Sequence, residues 1–118
     1  MNFVNRISLI VTPKPLMHQW VLNVAADEAP TLEEMTAESS CYLLDEPQED
    51  CDIAVLTTAL IEQNFLKIWQ NELSVWDEYL DNAQSDMSQT QFNQWFDVKL
   101  SGLTFDLAKE PLLVAKVD

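Results

Sequence analysis

Glycine is nearly missing from this chain of 118 residues: Gly102 stands alone. A glycine-rich phosphate loop needs several backbone positions free of a Cβ, so nucleotide binding of that kind is excluded. Arginine occurs once, at Arg6, and six basic residues face 20 acidic ones, for a formal net charge of −14. A phosphate-backbone binder needs a basic stripe and arginine forks, so nucleic-acid binding is disfavoured, as is an anionic membrane surface. His18 is the only histidine, and Cys41 and Cys51 are the only cysteines. That set makes neither a zinc site nor a disulfide framework, and no metal or other cofactor is expected. No apolar run approaches ~18 residues, so no transmembrane helix is expected. The opening MNFVNRISLIVTPKP lacks a basic region followed by a long apolar run and a small-residue cleavage site. No leader is expected there, and the reading is a cytoplasmic protein with reduced thiols.

What is present suffices for one packed interior. Hydrophobic residues make up 47 % of the chain and include four tryptophans, so global disorder is not expected. The length fits a single domain spanning 1–118. Its dominant stretch is Asp52 to Leu80, with neither proline nor glycine. At ~100° per residue, Ile61, Phe65, Ile68, Trp69, Leu73, Trp76, Tyr79 and Leu80 share one arc, which predicts a long amphipathic helix. Gln63, Lys67, Gln70, Asn71, Ser74, Asp77 and Glu78 take the opposite arc. Trp69 and Trp76 are both expected to be buried.

Around that helix, Phe3 to Val11 reads as a first strand, with Ile7, Leu9 and Val11 inward. Pro13 and Pro15 end it and lead into a helix, Leu16 to Ala26, anchored by Trp20. Thr31 with Glu34 forms a capping box over Leu32 to Ala37. Cys41 to Leu44 is a short apolar strand, which predicts a buried, inert Cys41. An acidic loop, Asp45 to Asp52, then places its last aspartates at the positive end of the long helix. The polar segment 81–86 is a connection, and Ser88 with Gln91 caps a helix holding Phe92, Trp95 and Phe96. Lys99 to Leu107 reads as a third strand with Leu103, Phe105 and Leu107 inward, and Gly102 marks a bulge or a close backbone approach. Residues 108–118 are a tail, either docked as an edge strand or mobile. The order β-α-α-β-α-α-β, with alternating strands, predicts an α+β fold: about three strands packed against the long helix and shorter helices. Parallel pairing stays open, because helices separate the strands.

Several of these segments together, namely ISLIVTPKP, the Trp20 helix, TLEE, YLL, IWQNELSVW and FNQWFDVKL, resemble a family of small acidic uncharacterised bacterial proteins. The family carries no assigned catalytic residue, cofactor or partner. The resemblance therefore implies a free-standing bacterial single-domain protein and nothing about chemistry.

Candidate chemistry centres on Glu62 and Glu72, both inside the apolar arc. A carboxylate out of water must be hydrogen-bonded, paired or shifted in pKa. Glu72 reads either as a tuned general acid or base in an aromatic cleft, or as a carboxylate satisfied by a backbone group, an indole or Lys99. His18 falls at a phase away from Trp20 and Val24, which suits a boundary position. Cys51 lies between Asp50 and Asp52, a setting that suppresses thiolate chemistry. The acidic loop lacks the spacing and central glycine of an EF-hand, so it reads as a solvated charge run. The favoured function is a non-enzymatic interaction module for a basic protein. Its contact surface would be Asp45, Glu46, Glu49, Asp50 and Asp52, with Asp77, Glu78 and Asp81 at the far end of the helix. The alternatives are a small enzyme or ligand binder built on Glu72, and an acidic inhibitor that mimics nucleic acid.

Overall fold

Proline placement and paired strands set the frame. The computed structural model describes residues 1–84 and 86–117. Ser85, in the predicted 81–86 connection, and Asp118, at the end of the predicted tail, lie outside them. The elements in order are β1 (Asn2–Val4), β2 (Arg6–Pro13), α1 (Pro15–Ala25), α2 (Leu32–Ala37), β3 (Ser40–Asp45), α3 (Ile53–Ser74), α4 (Gln89–Trp95), β4 (Phe96–Ser101) and β5 (Thr104–Asp106), with a single 3-10 turn after α1. Pro15 occupies the first turn of α1, where its missing N–H costs no intrahelical bond. Both predicted capping boxes form, Thr31 with Glu34 on α2 and Ser88 with Gln91 on α4. Asp52 caps α3 by accepting from the Ala54 amide at 2.8 Å.

The chain is α+β, as its alternation predicts. A three-stranded sheet runs β3-β2-β4, and a two-stranded ribbon joins β1 to β5. Every pairing among these strands is antiparallel, which closes the parallel option. The single predicted first strand is broken at Asn5. Val4 pairs with Thr104 and Ser8 with Ser101, so Asn5, Arg6 and Ile7 stand opposite only Gly102 and Leu103. The extra residue makes a bulge between sheet and ribbon. Gly102 lies in that interruption, but a Cβ there would meet nothing within 4 Å, so no close backbone approach requires it.

One face of the sheet is covered. Leu9 and Val11 of β2, with Phe96, Val98 and Leu100 of β4, meet Met17, Trp20 and Val21 of α1, Ile68, Trp69 and Leu73 of α3, and Phe92 and Trp95 of α4. Trp69 has no exposed surface and sits at the centre, its ring 5.2 Å from Trp95, 6.0 Å from Phe92 and 6.5 Å from Phe96. Each such aromatic pair adds ~0.5–1.5 kcal/mol beyond area burial. No described helix is long and apolar enough to cross a membrane.

Four expectations fail, each because tertiary context outweighs a local pattern. Leu103, Phe105 and Leu107 are exposed rather than inward, since past Ser101 the chain enters a ribbon of only two strands. Phe96 opens β4 instead of ending α4. Cys41 is exposed, because β3 turns only Tyr42 and Leu44 to the core. The long helix stops at Ser74, six residues early, so Trp76 is half-buried, Tyr79 is exposed, and Leu80 takes φ = 56° in the turn that follows. The tail after Asp106 forms neither strand nor helix among the described residues.

Candidate functional site

The chain brings its polar chemistry together where the C-terminal half of α3 crosses the start of β3. Glu72 Oε2 accepts from the Ser40 hydroxyl and from the Tyr42 hydroxyl, each at 2.8 Å. The Asn71 amide in turn donates to the Tyr42 oxygen at 2.9 Å. Glu72 is half-buried, as a position inside the helical stripe requires, and its partners are two hydroxyls rather than Lys99, an indole or a backbone group. Burial pushes the Tyr42 phenol well above its ordinary range. The Asn71 amide opposes that shift, while the Glu72 carboxylate, accepting the phenolic proton and carrying negative charge, reinforces it. A phenol held protonated by a carboxylate is a structural tie, and the arrangement offers no activated nucleophile. Glu62, the other carboxylate of the apolar arc, is exposed.

Two clefts flank this network. The smaller, with a volume near 260 Å³, includes Ser40 and Glu72 in its lining and is walled by Pro13, Met17, Pro30, Met35, Val75, Trp76 and Phe96. Glu28, Glu34 and Glu38 complete its lining, and none of its lining residues is basic. Glu34 has Oε1 committed to the capping box, while Glu28 and Glu38 are exposed. The larger, near 760 Å³, opens between β3 and α3 on the Tyr42 and Asn71 side. His18 lies half-buried nearby, its Nε2 2.9 Å from the Pro30 carbonyl, but it is not part of either lining.

The predicted contact carboxylates separate into two groups. Asp45, Glu46, Glu49, Asp50 and Asp52 are all exposed around the N-terminal end of α3. Glu78 and Asp81 are exposed beyond its C-terminal end. A helix of 22 residues is ~33 Å long, so the two groups cannot form one compact patch. Asp77 is 9 % exposed and leaves the set, because its Oδ2 accepts from the Asn82 amide at 2.7 Å and closes the turn after α3. Cys41 and Cys51 are free thiols, and no group of three or more His, Cys, Asp or Glu among the described residues is arranged to hold a metal ion.

Sequence reasoning missed the acidic cleft. Glu34 was visible only as a cap, and Glu28 and Glu38 sit in connections without periodicity. Nothing local signals that three short segments converge on the end of α3. Compared with family models, curated proteins and solved structures, the chain matches none.

Proposed function

We propose that this chain is a bacterial, cytoplasmic, non-enzymatic interaction module that engages a basic protein. One observation carries the reading. The chain holds 20 acidic residues, yet a single ion pair occurs among the described residues, Lys14 with Asp97 at 4.0 Å. The acidic surface is therefore left almost wholly uncompensated within the molecule. Such a field accelerates encounter with a cationic surface and repels phosphate chains. The exposed acidic loop and the carboxylates about the smaller cleft are the places where that field meets solvent.

The alternative of a Glu72-based enzyme is the weaker reading, since Glu72 is occupied by two hydroxyls and His18 stands outside the clefts. The test is a titration against basic proteins of pI above ~9, beside duplex DNA and RNA, at several salt concentrations. Binding to basic proteins with an on-rate that falls as salt rises is the expected result, exposed charges being screened beyond ~8–10 Å. Tight nucleic-acid binding, or basic-protein binding indifferent to salt, overturns the proposal.

A further inference from the structure

We infer that the smaller cleft is a receptor for a lysine side chain presented by that basic protein; the inference rests on the functional reading above and specifies its site. Three features select the occupant. The walls are apolar but built of Met17, Met35 and Trp76, which suits a methylene stem and places an indole near the charge it carries. The carboxylates come from separate elements: Glu28 from the turn after α1, Glu38 from the end of α2, and Glu72 from α3. No cation among the lining residues neutralises them. A positive group entering the cleft therefore gains charge complementarity that the molecule itself does not supply.

The third feature chooses lysine over arginine. A guanidinium is recognised best by both oxygens of one carboxylate in a planar fork. Glu72 cannot offer that fork, because Oε2 already accepts from Ser40 and Tyr42, and among the described residues nothing donates to Oε1. Single oxygens from several carboxylates instead match a compact ammonium with three donors in different directions. The Ser40 and Tyr42 hydroxyls hold Glu72 in place before the cation arrives, which lowers the ordering cost of binding.

The experiment uses the full chain and three capped probes: hexalysine, hexaarginine and fully acetylated hexalysine, titrated at low salt with NMR observation. Hexalysine should shift the Trp76 indole and the Met17 and Met35 methyl resonances, bind more tightly than hexaarginine, and lose those shifts on acetylation. Glu38→Gln alters an exposed side chain and leaves the fold intact. It should weaken the lysine probe about three- to tenfold, the scale of one lost charge contact. Glu72→Gln should weaken it at least as much, with thermal melting checked alongside. Shifts confined to Asp45–Asp52, with the Trp76 and methionine signals silent, overturn the cleft while leaving the basic-partner reading intact. Preference for hexaarginine, or equal binding of the acetylated probe, overturns the choice of lysine. Failure of every cationic probe to bind at low salt overturns both readings.

Discussion

The Tyr42 hydroxyl donates to Glu72 Oε2 at 2.8 Å, joining the edge strand β3 to α3 across 30 residues of sequence. Ser40 donates to the same oxygen one turn of strand earlier. The carboxylate is thereby both satisfied and positioned, and the strand that would otherwise be a free edge is fastened to the central helix. Removing one partner strands the others in a half-buried setting, where an unmade hydrogen bond costs ~1–3 kcal/mol. Tyr42→Phe and Glu72→Ala should each destabilise by about that amount. The double variant should lose less than the sum, leaving a coupling of ~0.5–2 kcal/mol in a denaturation cycle. Additivity within error would show that the contact contributes nothing to stability.

The same pair sets the alkaline limit of the fold. The Tyr42 phenol is held above its ordinary value of 10.0 in the folded chain, mainly by burial. Above pH ~10 the unfolded chain releases this proton while the folded chain keeps it, so the folded state binds more protons and stability falls as pH rises. Below that pH the contribution is fully present. In a Tyr79→Phe background, phenolate absorbance from Tyr42 should appear only as the chain unfolds, and Tyr42→Phe should flatten the alkaline slope of the stability curve. Phenolate forming near pH ~10 in the folded protein would contradict this.

The two tryptophans of the long stripe should differ. Trp69 is wholly buried among three aromatic rings, so Trp69→Ala should cost ~3–5 kcal/mol, a large share of the stability of so small a domain. Trp76 is half-buried at the cleft, and Trp76→Ala should cost clearly less. Its indole nonetheless should report lysine-probe binding. Equal losses of stability from the two variants would place Trp76 in the core after all.

Scarcity of glycine leaves strain in the backbone. Ala26 caps the end of α1 at φ = 50°, ψ = −117°, a region open to glycine and costly for a residue with a Cβ. Ala26 is exposed, so replacing it removes no packing. Relief of strain should exceed the extra entropy that glycine adds to the unfolded chain, and Ala26→Gly should raise stability by ~0.5–1 kcal/mol in thermal or urea melts. Leu80, at φ = 56°, packs against the core, and Leu80→Gly should therefore be destabilising instead.

Local chemistry was legible in the amino-acid order because its partners lie within one or two turns. Thr31 with Glu34 and Ser88 with Gln91 close boxes three residues wide, and Asp52 caps a helix that begins beside it. The apolar period from Ile61 to Leu73 likewise records which face of α3 meets the sheet, and net charge is a sum that no folding alters. Tertiary structure decided whatever depends on meeting a distant segment. No glycine or proline announces the end of α3, and the stripe continues through Trp76 and Leu80 because a turn can also pack against the core. Asp77 lies on the helix's polar arc, yet it is buried, since the turn it closes to Asn82 replaces the helix that would have exposed it. Phe3 and Phe105 alternate like core residues but meet only each other, 5.7 Å apart, because the ribbon that carries them has no third strand. Glu28, Glu38 and Glu72 share a cleft only because antiparallel pairing of β2 and β3 brings α2 back to α3. Periodicity reports which face a residue occupies; which faces meet is set by packing between segments tens of residues apart.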